Sequence, residues 1–345
     1  MKGALIGFGT IAQGHLTAYS TMDDLSIVAV VDESQKRLKL AESLMPHIKT
    51  YNSLDDLVSD CELDFIDICS PPNTHFSYIS AGLLNNYHVI CEKPLLLSSH
   101  QYRNIFSLQH SADKVIYPSH NYKFSPILQL AKEIVLSEQF GTIITGHFRT
   151  LRSGHAIGVS EWNPHWRRDL YYSGGGILRD HGTHSIYIAC EMCGRVPNAV
   201  SCISGNLRDD GYHTTEDTVL LTLYFDDQIQ FSITLSWASA VRSSYYSIIG
   251  NNENIIIEDD DMIHSKRNGE ILRRSLISEF NDPSHKSWFN DMLRDFTNAV
   301  TAPNRRASLL QESLVTSLVV EAAYLSAEQG GKRIALPKVM DFIPA

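Results

Sequence analysis

Residues 4–12, "ALIGFGTIA", decide how the rest of the chain is read. An apolar run ends in Gly7, Gly9 and Ala12, the G-x-G-x-x-A spacing of a strand turning tightly into a helix. Gly7 permits the turn, Gly9 lets a pyrophosphate approach the backbone, and the small Ala12 lets helix and strand pack closely. Thr10 and Ile11 lie where the helix opens, and its uncommitted N–H groups and partial positive charge suit phosphates. Glycines are common in such turns, so the surrounding sequence decides.

Outward from this turn, short apolar runs at 27–32, 65–69, 88–91 and 115–118 alternate with helical patterns near 11–20, 34–43, 54–58, 75–84 and 99–111. Strands alternating with helices indicate parallel βαβ units. The second strand ends at Asp32, twenty positions after Ala12, where a carboxylate accepts hydrogen bonds from an adenosine ribose and repels a 2′-phosphate. NAD is therefore expected as cofactor, with NADP less favoured. Arg37 keeps NADP open, and Asp32 has a plainer reading as the cap of the helix that follows.

The pattern changes after Asn121, and a boundary is expected between 1–122 and 123–345. Residues 219–225 and 228–237 read as strands joined at Asp226-Asp227, with Ile229, Phe231, Ile233, Leu235 and Trp237 alternating with polar residues. A second hairpin is expected over 245–249 and 254–258, and two helices over 286–302 and 305–329. The fold class expected is α/β, a Rossmann dinucleotide-binding domain followed by an α+β domain with a large, mostly antiparallel sheet.

Composition narrows the function. The chain has 345 residues, 43% of them hydrophobic, and a formal net charge of -10. That is ample for a core, and the acidic balance disfavours nucleic acid and anionic membranes as partners. No run approaches a membrane span of roughly 18 apolar residues. The apolar N-terminus is broken by glycines and lacks an A-x-A cleavage site. Six cysteines fall mostly in apolar runs, as reduced thiols do, so a cytoplasmic location is expected. Cys190 and Cys193 lack the second pair a zinc site needs, and His155, His165 and His213 lack paired-ligand spacing, so no metal is expected.

Three further segments carry chemistry: "SPPNTH" at 70–75, "EKP" at 92–94, and "GGGILRDHGTH" at 174–184. With the glycine turn, this ordered set resembles the Gfo/Idh/MocA oxidoreductases, named for glucose-fructose oxidoreductase and inositol dehydrogenase. The resemblance extends to the late helices and "KRIALP" at 332–337. It implies hydride transfer between a nicotinamide and a secondary alcohol carbon of a sugar, cyclitol or nucleotide sugar. Ser70, Pro71, Asn73, His75, Glu92, Lys93 and Asn121 would then line the cofactor. It further implies that Lys93 assists proton transfer, that His184 is the acid/base, and that Asp180 binds substrate and orients both. Self-association into a homo-dimer or homo-tetramer is implied as well, and Leu220 and Tyr224, opposite Leu221 and Leu223, suit it.

The residues alone support part of this. Oxidising an alcohol requires removal of its O–H proton by a positioned base, and Lys93 stands where open α/β sheets place ligands. Asp180 and His184 are spaced to share a helix face, whereas His181 is expected to point away and to be structural. Gly182 inside that helix suggests a close approach, by a cofactor, a backbone or packed side chains. The segment 147–176 is rich in Arg, His and aromatics, with Arg152, Trp162, His165, Trp166 and Arg167 as candidate substrate contacts and Arg149 among the others, and Tyr122, at the end of the first domain, is a further candidate. Its plainer reading is an ordered loop packed on the sheet. Two other functions stay open: a redox-neutral NAD-dependent lyase, hydrolase or epimerase, and a non-catalytic dinucleotide sensor.

Overall fold

The computed structural model describes residues 1–343 except 209, 278, 279 and 281–284, and not the side chains of 227 and 286. The first sheet has six strands: β1 (Lys2–Ile6), β2 (Ser26–Val31), β3 (Lys49–Tyr51), β4 (Phe65–Ile68), β5 (His88–Cys91) and β6 (Ile116–Pro118). Between them run α1 (Thr10–Tyr19), α2 (Gln35–Leu44), α3 (Leu54–Asp60), α4 (His75–Leu84) and α5 (Ser99–Ala112). The spatial order is β3-β2-β1-β4-β5-β6, and the strands pair in parallel. The order reverses between β1 and β4, the switch point outside whose carboxyl ends open α/β sheets bind ligands. Strand β3 was not expected, because its three residues at the sheet edge, one exposed and two half-buried, carry no apolar run.

The rest of the chain builds a second sheet. Its elements are α6 (Pro126–Val135), β7 (Ile143–Leu151), the one-turn α7 (Leu170–Ser173), α8 (Thr183–Cys193), β8 (Ala199–Gly205), β9 (Thr218–Tyr224), β10 (Gln230–Ser236), β11 (Ser243–Gly250), β12 (Glu253–Glu258), β13 (Asp261–Lys266), β14 (Ile271–Ser275), α9 (Lys286–Val300), α10 (Arg305–Glu328) and β15 (Ile334–Ala335). The nine strands run in the order β14-β13-β12-β11-β7-β10-β9-β8-β15. The β7–β10 pair is parallel and the others are antiparallel. Both expected hairpins form, β9–β10 and β11–β12.

The period of two along β10 is a burial pattern. Ile229, Phe231, Ile233, Leu235 and Trp237 are all within 4% of full burial, each worth about 1.5–3 kcal/mol for its apolar surface. They pack under α6, α8 and α10. On the opposite, open face Leu220 is 53% and Ile203 60% exposed. Among the described residues, no helix is long and apolar enough to cross a membrane, and all six cysteines are unpaired thiols.

A cut at 122 separates the sheets but not the cores. Phe289, Met292, Leu293 and Phe296 of α9 pack with Leu5, Phe8 and Phe65 beneath the first sheet. Leu310, Leu314 and Leu318 of α10 join the core on its other side. The chain thus returns to its first layer after completing the second, with α9 packed on α1 and α10 on α5.

Candidate active site

The glycine turn sits at the switch point. Gly7 has φ +86°, and a Cβ there would lie 2.9 Å from the Ser70 nitrogen. The turns after β1 and β4 are therefore close enough that only glycine fits. At Gly9 a Cβ would meet nothing within 4 Å, so the space beside the turn is open. Gly9 is also the N-cap of α1, without a side-chain cap, which leaves first-turn N–H groups to an anion. Asp32 accepts from the Phe8 N–H at 2.7 Å and the Ser34 N–H at 2.8 Å. Asp32 is not the cap of α2, whose N-cap is Ser34, and its carboxylate, with about four acceptor sites, keeps capacity beyond these two bonds. Ser70 bonds Thr74 at 2.6 Å, Thr74 donates to the Pro71 carbonyl, and the buried Asn73 Oδ1 has no partner. An orphaned buried acceptor beside an open glycine turn fits a dinucleotide ligand.

Beneath this cradle lies a buried polar chain. Tyr19 donates to Asp67 at 2.9 Å, His15 Nδ1 meets the same oxygen at 2.7 Å, and His15 Nε2 lies 3.2 Å from Glu92. Burial disfavours a charged His15, yet the Asp67 carboxylate overrides it and holds the imidazole well above its ordinary range. His15, Asp67 and Cys69 are grouped closely enough to suggest metal ligands, but the direct His15–Asp67 hydrogen bond accounts for the grouping. The chain ends at the EKP turn, where the Lys93 N–H donates to Glu92 at 3.2 Å and the Lys93–Pro94 bond is cis.

Lys93 reaches across to the second domain. Its ammonium donates to Asp180 Oδ1 at 2.6 Å and to the Asp180 carbonyl at 3.1 Å. A lysine has three donors, so one remains for another oxygen. Asp180 Oδ2 faces His181 Nδ1 at 3.2 Å and Arg167 Nε at 3.7 Å. Burial opposes the Asp180 charge, but Lys93, followed by His181 and Arg167, keeps it well below the usual carboxylate range. His184 bonds Tyr187 through Nδ1 at 2.6 Å and stacks on Tyr122, centroids 4.1 Å apart. Burial first, then the Lys93 charge, holds His184 well below the ordinary histidine range. A neutral imidazole with Nδ1 engaged leaves Nε2 for a proton.

Local backbone explains why these side chains converge. Residues Leu178–Gly182 form a π-helical turn running into α8, and such bulges recur at functional sites. Glu216, half-buried, accepts from the Gly176 and Leu178 N–H groups and from Tyr324, so it caps the start of the helix. A Cβ at Gly176 would lie 1.9 Å from the Glu216 carbonyl. Gly182 serves packing, since its Cβ would meet Leu178 at 2.8 Å and Leu235 at 3.2 Å.

Several expectations need correcting. His181 belongs to the cluster, because the π-helical turn spoils the angular spacing of a regular α-helix. His75 is fully buried, each ring nitrogen 2.9 Å from a carbonyl, Ser70 on one side and Pro94 on the other; it ties the two turns together instead of facing the cofactor. Arg152 is 3% exposed and donates to the Leu151 and Ser243 carbonyls and to Ser244, so its guanidinium holds strands β7 and β11. Arg149 lies on the open sheet face over Tyr245, beside Glu258. Of the other loop residues, Arg167 stacks on Trp166 at 4.2 Å and donates to the Ala156 carbonyl. Trp162 is 41% exposed and edge-on to Tyr172, and His165 pairs with His155 at 3.0 Å. Asn121 and Tyr122 are buried in the turn that opens the second domain. Tyr187 and Glu216 were not anticipated. Tyr187 sits three residues after His184, a helical spacing that signalled it, whereas Glu216 had no local signal.

A parallel six-stranded sheet with an open glycine turn, facing a lysine–aspartate pair across two domains, defines a dinucleotide-dependent oxidoreductase. Residues 1–120 match the oxidoreductase family with the NAD-binding Rossmann fold, and residues 128–256 match the GFO/IDH/MocA C-terminal domain. The chain belongs to the Gfo/Idh/MocA family and is an NAD-dependent oxidoreductase. It is 25% identical to D-glucoside 3-dehydrogenase of Escherichia coli, over 96% of each chain. It is 24% identical to 2,7-anhydro-N-acetylneuraminate hydratase of the same organism, over 90% of this chain and 84% of that one. Among solved structures, a levoglucosan dehydrogenase in complex with NADH and L-sorbose superposes with a TM-score of 0.84 at 17% identity, covering 99% of this chain and 100% of that one.

Proposed function

We propose that the enzyme oxidises or reduces a secondary alcohol carbon of a sugar, cyclitol or nucleotide sugar. The observation carrying this is the Lys93–Asp180 contact of 2.6 Å beside a neutral, buried His184. The names of the relatives point to the same substrate class.

In this reading Gly7, Gly9, Thr10, Ile11 and Ala12 hold the pyrophosphate, and Asp32 holds the adenosine ribose. Ser70, Pro71, Asn73, Glu92 and Asn121 line the remainder. NAD, when bound, supplies the acceptor for the hydride leaving the alcohol carbon. The free N–H of Lys93 donates to the reacting oxygen and stabilises the negative charge that develops there. His184 takes the hydroxyl proton on Nε2, in the tautomer whose Nδ1–H donates to Tyr187. Asp180 keeps Lys93 aimed and offers acceptor capacity to a neighbouring hydroxyl. In reduction the same groups run in reverse, with His184 returning the proton.

The test is a panel of sugars, cyclitols and nucleotide sugars incubated with NAD and with NADP while the reduced-nicotinamide band is followed. Stoichiometric absorbance with at least one polyol is expected. Turnover without absorbance favours the redox-neutral reading, which the relative named as a hydratase supports. No turnover anywhere in the panel overturns the proposal.

Arg167 supplies a further expectation. Its guanidinium is the loop cation beside Asp180, so an anionic substrate group is expected to pair with it. Arg167→Ala should raise KM for an anionic sugar about 10-fold or more and for a neutral polyol far less. Equal rises for both would remove Arg167 from recognition.

A further inference from the structure

The second domain touches the first at a place remote from the Lys93 cluster. Arg37, on α2, is 7% exposed. Its Nε donates to the Phe8 carbonyl at 2.6 Å, and one terminal nitrogen lies 3.2 Å from Glu161 Oε1. Glu161 belongs to the long segment between β7 and α7, so this ion pair spans the two domains. The Phe8 N–H is the group that donates to Asp32. Asp32, the Phe8 peptide, Arg37 and Glu161 thus form one connected chain around the glycine turn. The other terminal nitrogen of Arg37 is buried and has no partner, an unmade bond that points to a ligand. Asp32 and Glu33 both lie near enough to Tyr78 to act on its hydroxyl, adding to the effect of burial, so the neighbourhood is acidic.

We infer that Glu161, carried by the second domain, sets the cofactor preference of the first. By pairing with Arg37 it withholds that guanidinium from the 2′-phosphate that distinguishes NADP from NAD. The inference rests on the reading that Asp32 faces the adenosine ribose. An arginine near the end of the second strand is the usual partner of a 2′-phosphate, and such a group brings about −1.5 to −2 charges at neutral pH. Here the arginine is already neutralised, and the phosphate would enter between carboxylates. The free Arg37 nitrogen still serves an uncharged hydroxyl, which asks for a single hydrogen bond and no charge. The device also explains how a chain with a suitable arginine remains an NAD enzyme. The selecting carboxylate lies more than a hundred residues away from the Gly7–Asp32 segment, where no local motif registers it.

The experiment titrates NADH and NADPH onto the purified full-length protein by nicotinamide fluorescence, which needs no turnover. Glu161→Gln is expected to tighten NADPH about 10-fold or more relative to NADH, with Glu161→Ala doing the same. Adding Arg37→Ala to Glu161→Gln should abolish the gain, because the phosphate then has no freed cation. An unchanged NADPH-to-NADH ratio in both Glu161 variants, with melting curves showing them folded, overturns the inference. So does a gain that survives loss of Arg37. Asp32→Ala separates the two layers. If it binds NADH as the wild type does, the ribose reading has failed. If it weakens NADH while the Glu161 variants leave the ratio unchanged, only the role of Glu161 has failed.

Discussion

Lys93→Ala and His184→Ala are each expected to lower kcat by at least about 100-fold, the usual scale for removing a positioned proton-transfer group, while NAD still binds. For Lys93 the reasoning is geometric. Two of its three donors are taken by Asp180, so the ammonium is held in place before substrate arrives and needs no reorganisation during reaction. Alanine removes the donor and leaves Asp180 without its strongest counter-charge. For His184 the argument is protonation state. Burial and the Lys93 charge keep the ring neutral at neutral pH, so it can accept a proton without first losing one. The two effects are not expected to multiply in the double variant, because both groups act on the same oxygen. Steady-state rates on an active polyol, with cofactor affinity measured separately by fluorescence, decide the matter. A loss under about 10-fold in either variant would place the chemistry elsewhere.

The second large effect is on stability. Several histidines are buried in their neutral form. Burial lowers His181 to about 4 and also depresses His184, His75 and His120. For such groups the unfolded chain, with histidine near 6.5, binds more protons than the fold. Their contribution is therefore complete above about pH 6.5 and is lost as pH falls toward the folded values. For His181 alone the loss at pH 5 is about 2 kcal/mol. His15 has the opposite sign. Its raised folded value means its stabilisation is fully present below pH 6.5 and is lost only as pH rises through that value, so it does not cause acid lability. The depressed carboxylates, Asp180 and Glu312 (the latter at about 2), matter only below the ordinary carboxylate range. Melting curves at pH 7.5 and pH 5 are expected to differ by at least about 5 °C, with the acid sample less stable. His181→Gln should remove part of that difference. An equal or higher melting temperature at pH 5 would mean these rings are not buried neutral.

Those histidines also show where sequence reading ends. The glycine turn, the alternating βαβ pattern and the period of two in β10 are local facts. Each is a backbone requirement, a positive φ at Gly7 or a hydrophobic face, that short spacing records directly. For the same reason the EKP and Asp180–His184 motifs were legible, since they sit at element ends that hydrophobic periodicity locates. Whether a polar side chain faces a cleft, a carbonyl or another charge depends on partners far away in the chain. His75 was misread because its buried ring is sandwiched between the Pro94 and Ser70 carbonyls. Arg152 was misread because β11 supplies its acceptors, and His181 because a π-helical turn replaces the regular helix that spacing assumes. Glu216 and Glu161 left no local trace at all, though one caps the helix bearing Asp180 and the other neutralises Arg37. The sequence by itself thus determined the two sheets and the glycine turn, and it singled out Lys93, Asp180 and His184, which the structure brings together. Only the tertiary structure decided which polar groups are spent on the fold and which stay free for chemistry, because hydrogen bonds and ion pairs are satisfied across the fold, not along the chain.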